Sequence, residues 1–182
     1  METIFIFLAT GFEEIEAVTT IDVIRRGELT VKTISVTGEK SIEGAHGISV
    51  VADELFENAD FSDAKMLILP GGMPGSSNLN KHAGLKKLLS DFHAKNKPIA
   101  AICAAPLVLG NLGILDGKKA TCYPGYENQL GKGIHIDEQV VIDGSIITAK
   151  GPGFAVAFGL SIVEFFQGKS IVDKVAKGLS PE

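Results

Sequence analysis

Two hydrophobic rhythms take turns along the chain. Unbroken apolar runs, TIFIFL at 3–8, KMLIL at 65–69 and IAAIC at 99–103, predict strands covered on both faces. Between them, apolar residues recur every three or four positions, which predicts helices at 13–26 and 82–95, the latter placing Leu85, Leu88, Leu89 and Phe92 on one face. A turn at Gly27-Glu28-Leu29 leads into the β-branched strand TVKTISV, and ISVVAD at 48–53 reads as a further short strand. IAAIC runs directly into the helix-like AAPLVLGNLGIL. Two apolar runs within 139–149, separated by Asp143-Gly144, predict a hairpin. From Gly153 the pattern is helical to about Phe166, and SIVDKVAKGL predicts a last short helix. Such alternation argues for a single α/β domain over residues 1–182, with a mainly parallel sheet, helices on both faces and a C-terminal antiparallel hairpin.

Charge and composition narrow the partners. The net charge is −5, and Lys86-Lys87 and Lys118-Lys119 are isolated basic pairs, so nucleic acid is not expected. The apolar run IFIFLA is far too short to span a bilayer and has no charged leader before it, which argues against a membrane role. The two cysteines, Cys103 and Cys122, match neither a disulfide framework nor a zinc spacing. The expectation is a soluble cytoplasmic protein of a reducing compartment, without a metal.

Open parallel sheets bind ligands beyond the carboxyl ends of their strands. Three such ends stand out: Ala9-Thr10-Gly11, Pro70-Gly71-Gly72 and Cys103. In AAICAAP the cysteine falls between an apolar strand and a helix, with alanine at both second neighbours, the small-residue grammar of a nucleophile elbow. A thiol there gains from the helix dipole and orphan amides, which predicts a pKa below the ~8.5 of a free thiol. Cys122, in KKATCYPG, lacks that setting and reads as a packing thiol. Gly71-Gly72 lets amides turn inward, so the amides of Gly72 and Ala104 form a candidate oxyanion cradle; phosphate binding is disfavoured because G-x-G-x-x-G and Walker patterns are absent. Of three clustered acids, Glu13 and Glu14 suit a first helical turn, whereas Glu16 lies on a face with Phe12, Thr20 and Val23. A carboxyl so placed is either solvated at the edge or buried for a purpose. His82 and His93 flank an amphipathic helix and are expected in solvent, as are the loop residues His46 and His135.

Four ordered motifs, ATGFEEIEAVTTIDVIRRG, LPGGMPGSSNL, IAAICAAP and AKGPGFAVAFGLSIVE, resemble the ThiJ/PfpI family, most closely its Parkinson-linked deglycase subfamily. The resemblance implies a flavodoxin-like sandwich, a homodimer, a reactive cysteine at Cys103 and a buried Glu16 hydrogen-bonded to its sulfur. It implies cofactor-free glyoxalase or deglycase chemistry on reactive dicarbonyls or early glycation adducts, Cys103 acting as nucleophile and Glu16 as proton shuttle. The alternative is a redox sensor or stress chaperone working through oxidation of Cys103. A peptidase is disfavoured because Ala104 stands where family peptidases carry histidine, and nothing here favours thiazole biosynthesis. Near relatives often carry histidine before the proline that follows the seventh strand; here Tyr123 precedes Pro124, and a phenol is a poor base near neutrality. Gly71, Tyr123 and the neighbouring His135 complete the expected pocket. On the first helix, Ile15 and Val23 on one side and Val18 and Ile21 on another predict a second face to bury, matching the implied dimer.

Overall fold

The structure, a computed structural model, describes residues 3–180. Its main sheet grows outward from β1 (Thr3–Leu8), whose six residues are all buried. On one side lie β2 (Val31–Ser35) and, at the edge, a short β5 (Glu54–Leu55); on the other lie β6 (Ala64–Leu69), β7 (Ile99–Ile102), β11 (Ile146–Ala149) and β10 (Val140–Asp143). All neighbours run parallel except β10 and β11, which form the expected hairpin. Two small ribbons complete the strands: β3 (Ser41–Glu43) with β4 (Ser49–Val51), antiparallel, and β8 (Lys119–Ala120) with β9 (Ile134–His135), parallel.

The crossovers decide where a ligand can sit. Helix α1 (Glu14–Arg26) carries the chain from β1 to β2, while α2 (Gly75–Lys81) and α3 (Ala83–Ala94) carry it from β6 to β7 in the opposite direction. Right-handed connections therefore place these helices on opposite faces and open a crevice between the carboxyl ends of β1 and β6. Helix α4 (Pro106–Asn111) follows β7, and α5 (Ala155–Gln167) and α6 (Lys169–Leu179) close the chain, with α5 packed on α1. Phe5, Phe7, Met66, Leu67 and Ile102 are among the buried residues of the principal core.

Several expected elements change. The helix expected from AAPLVLGNLGIL is only the six residues of α4, because the backbone turns left-handed at Gly113, with φ of 71°. Of ISVVAD only Ser49–Val51 forms a strand, β4, with β5 following beyond it, and the partner of β4, Ser41–Glu43, carried no alternation long enough to notice. His82 is not a solvated residue: its Nδ1 accepts the Leu85 amide at 3.0 Å as the N-cap of α3, and its ring stacks edge-on to Phe56 at 4.6 Å. On α1, Val23 and Ile21 are buried, and the exposed apolar residues are Ile15 (57 %) and Val18 (49 %). The second face is thus a different pair from either of those expected.

Candidate functional site

Cys103 ends β7 with φ of 65°, a left-handed conformation that costs a non-glycine residue roughly 1–2 kcal/mol. The strain is held from three sides. The Cys103 amide donates to the Ala149 carbonyl at 2.8 Å, its carbonyl accepts the Tyr123 amide at 2.8 Å, and the Ala105 amide donates to Ile102 at 3.0 Å as the chain turns into α4. Small neighbours are required: a Cβ on Gly71 would lie 2.6 Å from the Cβ of Cys103 and 2.6 Å from Oε2 of Glu16. Gly71 therefore works as a spacer behind the sulfur and does not line the cleft. Gly72, at φ of +88°, and Ala104 set backbone amides beside Cys103 whose influence favours the ionised sulfur.

Glu16 is fully buried in the first turns of α1, on its sheet-facing side. Its Oε2 accepts the Gly71 amide at 2.7 Å, and Gly71 in turn accepts the Glu13 amide at 2.9 Å, which locks the helix start to the β6 turn. Oε1 lacks a nitrogen or oxygen partner, and the group coupled to this carboxyl is the Cys103 thiol. Burial pushes the Glu16 pKa up to about 7, against the opposing pull of Cys103 and Gly71, with the nearby Glu13 charge adding to the rise. Burial and then the Glu16 charge also push the Cys103 thiol up, outweighing the two amides. The expectation of a thiol acidified by a helix terminus is overturned, because the low-dielectric pocket and the adjacent carboxylate count for more than a dipole. Both groups resist ionising together, so the pair gives up its first proton only near pH 7, holds the second above that, and titrates as a unit.

Cys103, 8 % exposed, opens into a cleft of about 210 Å³. Gly72 and Ala104 line it beside Cys103, and Glu13, Met73, Tyr123, Tyr126 and Pro152 form the rest of its wall. His135 does not reach it: that side chain is exposed on β9, near the acids Glu127 and Asp137. Met73, Tyr126 and Pro152 were missed as cleft residues: the first and last stand inside conspicuous motifs, but nothing local shows that they face Cys103.

Glu14 also departs from the role expected of it. It is buried, and its Oε1 accepts the amides of His46 at 2.7 Å and Ile48 at 3.4 Å while Oε2 lies 2.9 Å from His46 Nδ1. Burial alone would raise its pKa, but His46 and these amides hold it below the usual carboxylate range; the same contact raises that of His46. Glu14 is thus the peg that fastens the β3–β4 ribbon to α1. Glu13, Glu14 and His46 hold ligating atoms within 4.8 Å of one another, the one metal-capable grouping among the described residues, though Glu14 already satisfies its oxygens within the ribbon. Among the same residues no helix is long and apolar enough to cross a membrane.

Comparison with known proteins places this geometry. Residues 2–165 match the model of the DJ-1/PfpI family. Protein DJ-1 homolog A of Arabidopsis thaliana is 37 % identical over 178 residues, which cover 96 % of this chain and 45 % of that protein. Protein dj-1beta of Drosophila melanogaster is 35 % identical over 176 residues, covering 96 % of this chain and 94 % of that one. The chain thus spans less than half the length of the Arabidopsis relative and nearly all of the fly one. Among solved structures, oxidized Toxoplasma gondii DJ-1 superposes with a TM-score of 0.94 at 33 % identity, covering 98 % of each chain. Drosophila melanogaster DJ-1beta gives 0.93 at 34 % identity, over 98 % of this chain and 97 % of that one.

Proposed function

The chain belongs to the DJ-1/PfpI family, and from that premise we propose that it is a cofactor-free, cysteine-dependent enzyme acting on reactive dicarbonyls or their early glycation adducts. The observation that carries this reading is the one-proton pair of Glu16 and Cys103 beside two inward amides. Proton transfer within the pair leaves a thiolate and a neutral carboxyl. The sulfur adds to the aldehyde carbon of methylglyoxal; a C–S bond forms and the carbonyl π pair moves to oxygen, cradled by the amides of Gly72 and Ala104. Glu16, returned to its carboxylate by the proton it gives that oxygen, takes the C1 proton and delivers it to C2 while the C1 hydroxyl proton passes to the C2 oxygen, converting the hemithioacetal to a thioester of lactate. Water then cleaves the thioester and restores the thiol. Methylglyoxal plus water becomes lactate with no net redox change, so no outside oxidant is needed. A carboxyl with pKa about 7 is suited to both halves of that shuttle.

A second reading has its own support. The same amides and the free Oε1 would also hold the oxygens of a sulfinate on Cys103, as a redox sensor or stress chaperone requires, and the Toxoplasma relative was solved oxidized. The discriminating assay incubates the protein with methylglyoxal and follows lactate by proton NMR. Lactate well above a Cys103→Ala control supports the enzyme. No excess over that control, together with a stable sulfinate under mild peroxide, decides for the sensor.

Assembly belongs to the same proposal. Ile15 and Ile48 (59 % exposed) share a shallow recess, with Val18 one helical turn on, an apolar patch next to the site that a second copy would cover. Sedimentation at micromolar concentration should give about twice the 19.2 kDa chain mass, and Ile15→Asp should halve it. Wild-type protein sedimenting as a monomer would refute the dimer.

A further inference from the structure

Among the described residues, Glu13 is the one charged side chain in the wall of the Cys103 cleft, and it faces two ways. It lines that cleft beside Gly72 and Cys103, and it also lines a recess of about 270 Å³ with Glu14, Ile15, His46 and Ile48. Its backbone is fixed: the amide donates to the Gly71 carbonyl at 2.9 Å, and a Cβ on Gly72 would run into it. The carboxylate is therefore the part free to turn. On the recess side its neighbour is His46, whose Nδ1 lies 3.7 Å from Glu13 Oε1 and 2.9 Å from Glu14 Oε2. The ribbon that carries His46 is already fastened through backbone groups. The His46 and Ile48 amides donate to Glu14, the Gly11 amide donates to the Glu43 carbonyl at 2.8 Å, and the Ala45 amide donates to Phe12 at 2.8 Å. The imidazole, 67 % exposed, is left for another duty.

Glu13 also joins two sets of charges. The groups acting on His46 are Glu14 and Glu13, both at the start of α1. Those acting on the Glu16 carboxyl are Cys103 at the end of β7, the Gly71 amide and Glu13. Glu13 belongs to both sets, so a charge placed on His46 reaches the Glu16–Cys103 pair through it. We propose that His46 is a positioning residue for that pair: its imidazolium draws the Glu13 carboxylate toward the recess and offsets the negative charge that Glu13 presents to the cleft. The two titrations overlap. The hydrogen bond to Glu14, then the charges of Glu13 and Glu14, raise the His46 pKa above its ordinary 6.5. His46 therefore keeps part of its charge near pH 7, where Glu16 gives up its proton. With His46 charged, the repulsion from Glu13 is muted and Glu16 ionises sooner. With His46 neutral, Glu16 holds its proton to higher pH. The inference rests on the coupled pair and not on the turnover proposed for it, so the two fail separately.

The test reads the Glu16 carboxyl directly. Protein made with carboxyl-labelled glutamate is titrated by carbon NMR, the Glu16 resonance being the one that disappears in Glu16→Gln. In His46→Gln its midpoint should move up from about 7 by about half a pH unit, the effect of one charge over roughly 10 Å in a medium between protein surface and water. In Glu13→Gln the midpoint should move down, because the charge that adds to its rise is gone. In the Glu13→Gln background, His46→Gln should produce less than half its former shift. His46→Lys restores a cation and should return the midpoint to the wild-type value or below it. The rising limb of kcat/KM for methylglyoxal should follow each midpoint. A midpoint that His46→Gln leaves in place, even as the melting temperature falls, would make the imidazole a ribbon fastener and overturn the proposal. An equal shift with and without Glu13 would overturn it as well, since the charge would then not act through that residue. Wild-type protein inactive toward methylglyoxal would refute the enzyme reading alone, because the midpoint shifts need no turnover.

Discussion

Replacing Glu16 with glutamine should slow the conversion of methylglyoxal to lactate by about 10²- to 10⁴-fold, the usual loss on removing a positioned acid–base group. Glutamine keeps the shape and can still accept the Gly71 amide now held at 2.7 Å, so the α1 start should remain seated. What disappears is the proton: the amide cannot supply one to a substrate oxygen or carry one between carbons. The Cys103 thiol would lose the neighbouring negative charge that helps push it up, so its ionisation should move to lower pH. Alkylation by iodoacetamide at pH 8 should therefore be faster in Glu16→Gln even as turnover collapses. A variant that loses reactivity and turnover in parallel would show that Glu16 only maintains the sulfur's position, and the shuttle would have to be abandoned.

Stability should also carry the mark of the buried carboxyl. In the unfolded chain Glu16 releases its proton near the ordinary value of 4.5, whereas in the folded chain it retains it up to about pH 7. Between those values the native state binds more protons than the unfolded one, so stability falls as pH rises through this window. Integrated over the window, the loss is about 3 kcal/mol. Glu16→Gln has no such proton to lose. Its melting temperature should therefore gain on wild type between pH 4.5 and 7, by on the order of 6–12 °C for a chain of this size. Glu14 and His46 titrate in both proteins and cancel in the comparison. Parallel melting curves across the range, measured at one protein concentration, would mean that Glu16 ionises as freely folded as unfolded.

Much of this architecture could be read from residue patterns, for reasons that also explain the gaps. β1, β6 and β7 announce themselves because a strand covered on both faces must be apolar throughout, and the elbow at Cys103 because crowded backbone demands small neighbours. Helix α2, GSSNLNK, carries one buried leucine, Leu79, and no periodicity, so nothing separated it from loop. Glu14 was taken for an ordinary first-turn acid because that explanation is correct for most helices. Its burial depends on a ribbon arriving from residues 41–51, which no local window contains. The acidity of Cys103 failed for a similar reason. Sequence places a thiol beside a helix, but its pKa is set by how much solvent is excluded and by which carboxyl lies opposite. His135 looked close to Tyr123 along the chain, yet pairing of β9 with β8 leaves it on the outside.

The hydrogen bond from the Cys103 amide to the Ala149 carbonyl has a consequence for the order of synthesis. A ribosome delivers residue 103 long before residue 149, and at roughly 5–20 residues per second the interval lasts several seconds. During that interval β11 does not exist, so the strained turn at Cys103 has lost one of its three anchors, and Tyr123, which supplies another, arrives only partway through. The emerging chain carries its cysteine as an ordinary thiol in a flexible segment. The site is thus completed late, when the hairpin docks beside β7 and holds the turn that seats Cys103 against Glu16 and the two amides.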